Sequence, residues 1–213
     1  MSPERKPRRG PAKAADARAR ILDAAEAELG ARGFVTASTN AVAEAAGVAK
    51  GLVFHYFGSK TELFLAVLDR VTERVIESYL THSEPWPADL FERLYAISMH
   101  KIRLFQRDRD AYRVLAMLTD APDELRDVLL ARAGEVRRRI WPKLLAGVDT
   151  SCLRPGVSLD AALETIVLLG EGLERRIIAQ VRELPDHGAS QMESILRDVW
   201  KHYERLRDGL YRT

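Results

Sequence analysis

Residues 38–63 read S-T-N-A-V-A-E-A-A-G-V-A-K-G-L-V-F-H-Y-F-G-S-K-T-E-L, two short helical patterns folded about one glycine. The first helix is expected to open at Thr39, whose hydroxyl can accept from an unpaired N–H of the first turn, with Val42, Ala43 and Ala46 on its apolar side. Gly47 ends it, because glycine takes the positive φ that reverses the chain without a Cβ clash. A second helix, over about Ala49 to Tyr56, then leaves at a steep angle. Turning Val48, Val53 and Phe57 inward leaves Lys50, Gly51, Leu52, His55 and Tyr56 outside. That face is small, basic and aromatic, as a helix entering the major groove of duplex DNA needs to be.

The flanks complete a small domain. Ser59-Lys60-Thr61-Glu62 has capping-box spacing and starts a new helix, with Lys60 at its first position. A lysine there meets the positive end of the helix dipole, a mild penalty that a bound phosphate reverses. Upstream, Ile21, Leu22, Ala25 and Leu29 recur at helical spacing, and Gly33 followed by Phe34 supplies a stop with an apolar clamp. The helix from Lys60 carries Leu63, Phe64, Val67, Leu68, Val71, Val75, Ile76 and Tyr79, a stripe too long for a three-helix domain to cover alone. It is expected to pack against a second domain and tie the two together.

The run T-x-x-V-A-x-x-A-G-V-x-K-G-x-V-F-x-Y-F-x-S-K-x-x-L resembles the N-terminal domain of the TetR family of bacterial transcriptional regulators, over about residues 17 to 64. Position by position, the resemblance implies phosphate contacts from Thr39 and Lys60, groove contacts from Lys50, Gly51, Leu52 and His55, and a DNA-backbone contact from Tyr56. Two positions depart from the family pattern: Ala49 stands where Ser or Thr commonly caps the recognition helix, and Phe54 where Tyr is common. The loss of two hydroxyl contacts shifts the burden of affinity onto charge.

Charge is concentrated at the start of the chain. The first twenty residues carry seven Arg or Lys against Glu4 and Asp16, and Pro3, Pro7 and Pro11 oppose an early helix. Residues 1–14 therefore read as a disordered basic arm able to follow phosphates or enter a minor groove. Residues 1–60 hold ten basic and six acidic side chains, a net of +4, so the remainder of a chain of net +2 is −2. The basic end is the nucleic-acid end.

A length of 213 residues accommodates two domains: a helix-turn-helix domain over 15–60 and a helical regulatory and dimerisation domain over 61–213. Cys152 is the single cysteine, which precludes an intrachain disulfide and reads as an incidental thiol. No apolar run approaches the ~20 residues that span a bilayer, and the polar, proline-bearing start lacks the apolar core of a secretory signal. A cytoplasmic location is the expectation.

Beyond residue 80 the pattern is helical throughout, broken at Pro85 and Pro87, Pro122, Pro155-Gly156 and Pro185 to Gly188. Segments are expected at 88–107, 108–119, 122–146, 158–184 and 189–210, making about nine helices in an all-α fold, the number the resemblance also implies. A single small reader contacts too few bases to find a site in a genome, so a twofold homodimer is expected. Leu163, Ile166, Val167, Gly170 and Leu173, with Ile195, Val199, His202, Leu206 and Leu210, form the stripes assigned to a four-helix interface. Phe91, Tyr95, Met99, Tyr112, Met117 and Trp141 suit an apolar pocket beside a helix bent at Trp141-Pro142, with His100, Glu164 or Glu171 as a polar anchor.

Catalysis has little to stand on, since there is no GxSxG, no His-Glu-x-x-His, no phosphate loop and no paired metal-ligand spacing. Asp108 and Asp110 in Q-R-D-R-D read as a charged helix junction. No cofactor or metal is expected. The expected function is sequence-specific transcriptional regulation, a repressor released from a palindromic double-stranded DNA operator by a small, mostly apolar effector; the alternative is an effector-independent activator or architectural protein.

Overall fold

The computed structural model describes residues 11–119, 121–181 and 191–211, and within these the side chains of 11–14, 119, 171, 174–181 and 192 fall outside the description. Nine α-helices and one 3-10 turn follow one another along the described residues: α1 Pro11–Thr36, α2 Thr39–Ala45, α3 Lys50–Phe57, α4 Lys60–Leu80, α5 Leu90–Arg107, α6 Arg109–Ala116, a 3-10 turn Met117–Thr119, α7 Asp123–Leu144, α8 Leu159–Val181 and α9 Met192–Leu210. The described residues include no strand beyond one isolated bridge, Leu153 to Tyr211.

The chain divides into two compact units, one of residues 1–74 with 109–121 and the other of 75–108 with 122–213. In the first, Ile21, Ala25, Val53, Phe64, Val67 and Val71 are buried almost completely, from the stripes visible in the sequence. α1 begins at Pro11, so residues 11–14, read as arm, are its first turn; proline suits that turn, where its missing N–H has no intrahelical partner to lose. Residues 1–10 of the arm lie outside the described residues. Regular α1 geometry breaks at Gly33, at φ 73° and ψ 169°, as its stop signal anticipated.

A clamp of charge holds α1 to α4. Glu26, 7% exposed, takes Arg70 and Arg74 on its two carboxylate oxygens, and Arg70 also reaches Asp23 at 2.6 Å. Burial pushes the Glu26 carboxyl up, but the hydrogen bonds and charges of Arg74 and Arg70 outweigh it and hold the group below the ordinary carboxylate range.

Of the segment 108–119, assigned from sequence to the second domain, residues 109–119 belong to the first unit. α6 buries Ala111, Tyr112 and Val114, and packs so tightly on α1 that a Cβ on Gly30 would lie 3.2 Å from the Asp110 carboxylate. Asp108 caps α5 and Asp110 sits in the first turn of α6, the charged junction read from sequence.

In the second unit, one core gathers Leu90, Phe91, Leu94, Leu153, Ala162 and Ile166, and another Ile76, Tyr79, Ile140 and Leu144. Part of the stripes assigned to dimerisation meets this core: Ile166 is buried in it, and Leu163, Leu206 and Leu210, partly buried, pack against the cluster. Gly170 admits α9 of its own chain, since a Cβ there would stand 2.9 Å from the Tyr203 hydroxyl. Leu168, on α8, stays 63% exposed. Pro142 falls in the last turn of α7, which runs on to Leu144.

The buried Arg93 organises one end of this unit. Its Nε donates to the Pro87 carbonyl at 2.5 Å, Nη1 to the Leu144 and Ala146 carbonyls at 3.2 and 2.6 Å, and Nη2 to the Trp86 and Gly147 carbonyls at 3.4 Å each. One guanidinium thus satisfies carbonyls at the end of α7, which have no intrahelical donor, and pins the loop before α5 to them.

Candidate nucleic-acid interface

The reading unit is assembled by α2, a four-residue turn and α3. α2 is capped by Ser38 rather than Thr39: the Ser38 Oγ accepts from Ala41 N at 3.4 Å, and the Ser38 N–H donates to Glu28 at 2.9 Å. Thr39 is the first helical residue, half-buried. The shift has a simple cause, because the cap residue must be extended and Ser38 has φ −109° and ψ 118°. Gly47 turns the chain at φ 63°, a left-handed conformation that an L side chain rarely adopts.

α3 starts one residue later than expected, at Lys50. Its N-cap, Ala49, provides no side-chain hydrogen bond. Val53 and Phe57 are buried while Lys50, Gly51, Phe54 and His55 are exposed, with Leu52 and Tyr56 half-buried. Lys50 Nζ lies 6.0 Å from the Phe54 ring centre, and the His55 ring stands edge-on to Tyr56 at 5.5 Å. Gly51 has nothing within 4 Å of where a Cβ would be, so a groove wall can come close to the α3 backbone there.

At the start of α4 the Ser59 Oγ accepts from Glu62 N at 3.0 Å. Lys60, the first residue of that helix, donates to the Val35 carbonyl at 2.9 Å and stands 5.3 Å from the centre of the Phe34 ring. One of its three N–H donors is committed, which fixes where the ammonium sits and leaves two for an anion.

In the sequence Arg18 and Arg20 read only as part of the basic charge of the first twenty residues. In the folded unit the Arg18 guanidinium lies 5.2 Å from the Phe57 ring centre, and an Arg20 nitrogen would be 3.8 Å from a Cβ on Gly47. Both side chains are exposed, so α1 supplies two cations to the rim of the helix pair. The signal was available: Ala17 and Ile21 face the core, which turns positions 18 and 20 outward.

The residues assigned to a ligand pocket are not gathered into one unit. Tyr112 and the half-buried Met117 belong to the first, whereas Phe91, Tyr95, Met99 and Trp141 belong to the second. Phe91 is 2% exposed and packs edge-on against Tyr211 at 5.4 Å, while Tyr95 meets Trp200 at 4.9 Å. The Glu171 side chain lies outside the described residues.

The family model for bacterial regulatory proteins of the tetR family matches residues 21–67, the stretch just described. The HTH-type transcriptional regulatory protein RaaS of Mycobacterium tuberculosis is 36% identical over 170 residues, covering 73% of this chain and 68% of that protein. The HTH-type transcriptional activator FasR of Mycolicibacterium smegmatis is 31% identical over 98 residues, 46% of this chain and 44% of that one. In fold, the chain is similar to SmeT, the repressor of the Stenotrophomonas maltophilia multidrug efflux pump SmeDEF, with a TM-score of 0.61 at 18% identity over 92% of this chain and 93% of that one. With its helix-turn-helix core inside the matched segment and a relative aligned over most of its length, the chain belongs to the TetR family of DNA-binding transcriptional regulators.

Proposed function

We propose that the chain is a cytoplasmic repressor that reads an inverted-repeat operator as a homodimer and leaves it when a small effector binds the second unit. The observation that carries the reading is the sidedness of α3: Val53 and Phe57 are sunk in the core, and the opposite side, Lys50, Gly51 and His55, is open. In this reading Lys50, Gly51, Leu52 and His55 meet base edges, while Thr39, Tyr56 and Lys60 meet phosphates and fix the register. Twofold pairing doubles these contacts and sets two recognition helices about one helical turn of DNA apart. Leu168 and Leu130, 63% and 65% exposed, are large apolar side chains that a partner would cover.

Half-buried Tyr95, Met99 and Trp141 support an effector site in the second unit, because aromatic and thioether groups suit an apolar guest. A hundredfold change in occupancy requires an effector preference of about 2.7 kcal/mol between the two states, within the usual range of allosteric coupling. Selection of bound duplexes from a random pool tests the reading. An enriched inverted repeat supports it; enrichment of no sequence leaves the architectural alternative. Sedimentation of a 24.0 kDa species at micromolar concentration refutes the dimer. An operator–reporter fusion decides between repression and the effector-independent activator.

A further inference from the structure

The second unit contains an open cavity of about 430 Å³ that none of the residues expected in a ligand pocket lines. Its walls are the end of α4 with Tyr79, the loop after it with His82, Glu84 and Trp86, and the end of α7 with Lys143 and Leu144. We propose that this cavity binds a small planar aromatic carboxylate, its ring against the Trp86–His82 stack and its carboxylate paired with the Lys143 ammonium.

The aromatic wall carries the first half of the argument. The His82 imidazole lies on the Trp86 indole at 4.2 Å and 16°, so this loop already stacks planar rings face to face. Tyr79 and His100 close the cluster, at 6.3 and 5.8 Å from Trp86. Flat aromatic groups gain dispersion and quadrupole complementarity on such a wall that a branched aliphatic guest does not.

The sign of the guest follows from the charges. Lys143 is exposed, belongs to no ion pair among the described residues, and lies one helical turn beyond Arg139. His82 donates through Nδ1 to the Glu84 carbonyl at 2.8 Å, which holds its ring in place against Trp86. Burial first, then the charges of His82, Arg103 and Arg107, hold the His100 imidazole below the ordinary range, although its bond to Ser78 works the other way. Among the described residues, the Glu84 carboxylate is the one anion on the wall, and no carboxylate acts on His100. An anion is favoured over a cation.

Rigidity completes the case. Arg93 bonds the Trp86 and Pro87 carbonyls on one wall and the Leu144, Ala146 and Gly147 carbonyls beside the other. The aromatic face and the Lys143-bearing helix end are thereby held at a set separation before any guest arrives, which lowers the ordering cost of binding. The site rests on the effector reading only for its consequence at DNA; binding itself does not.

The test uses the full chain with 2-naphthoate and its uncharged amide, 2-naphthamide, by calorimetry and by the indole N–H resonances of the three tryptophans. Saturable binding of naphthoate, at least tenfold tighter than the amide, with the Trp86 resonance moving most, is expected. Lys143→Gln should remove that tenfold preference and leave the amide unchanged, and Trp86→Leu should weaken both. No saturable binding at millimolar ligand, equal affinity for acid and amide, or movement confined to Trp141 and Trp200 overturns the site. A separate titration with duplex DNA distinguishes the two readings: naphthoate that binds at Trp86 without changing operator affinity refutes its effector role, and failure to bind any duplex refutes the regulator reading, while the cavity stands in both cases.

Discussion

Replacing Glu26 by Gln isolates the charge at the α1–α4 clamp, because the side chain keeps its shape and loses its anion. Breaking a fully buried ion pair by removing one partner costs about 3–5 kcal/mol. The loss here is smaller, since the Arg70 and Arg74 side chains are 26% and 38% exposed and water reaches them, and Arg70 retains Asp23. We expect a loss of about 2 kcal/mol at neutral pH, in equilibrium urea unfolding followed by far-ultraviolet circular dichroism. The pH dependence supplies a second check with a definite sign. The folded pKa of Glu26 is depressed, so the stabilisation is present in full above the ordinary value of 4.5 and is lost as pH falls through the folded pKa. Wild type and Glu26→Gln should therefore converge in acid. A double-mutant cycle with Arg74→Ala should return most of the energy as coupling. A neutral-pH loss under about 0.5 kcal/mol, or one that persists undiminished in acid, would refute the claim that the carboxylate charge holds these helices together.

The base-reading and phosphate-holding roles separate by substitution: Lys50→Ala should lose about 1–3 kcal/mol on the operator alone, whereas Lys60→Ala should weaken all duplexes and lower the salt slope by about 0.9, both read by fluorescence anisotropy across salt concentrations. Equal losses on operator and random DNA for both variants would remove Lys50 from the reading face. Gly47→Ala should destabilise by about 1–2 kcal/mol through φ 63° alone, as its new methyl would meet only the Arg20 guanidinium at 3.8 Å; an unchanged unfolding midpoint contradicts the strain argument. His100 has a depressed folded pKa, surrounded by Tyr79, His82, Arg103 and Arg107, so its contribution is complete above the ordinary 6.5 and is lost as pH falls through the folded value. His100→Asn should flatten stability against pH in that window, and identical profiles would refute the assignment.

Local chemistry explains which parts of this molecule were readable from residues alone. The helix-turn-helix was legible because its signals lie within a few residues: a glycine needing φ 63°, a Ser59 cap with Glu62 three positions on, and apolar positions at helical spacing. The outward set on α3 followed from the same periodicity. Ser38 escaped because Ser38 and Thr39 are adjacent and both can cap; only the extended backbone at Ser38 separates them. Pro11 was read as a breaker, although in a helix's first turn it breaks nothing.

What remained hidden depends on contacts between residues far apart in the chain, to which periodicity is blind. An amphipathic α6 announces that it must bury one face, and says nothing about whether α1 or the second unit will receive it. Arg93 reads as one charged residue in a helical stripe; its role exists only because the loop at Trp86 and the end of α7 converge on it and present their carbonyls to its guanidinium. The same convergence brings Lys143 to the Trp86 wall from fifty-seven positions away. The sequence by itself determined the helices, their apolar faces and the DNA-reading unit, since turn, cap and period are short-range properties. Tertiary structure alone decided which helix α6 covers, which stripes close the second unit, and where a cavity opens, because those depend on the complementarity of faces that meet only after folding.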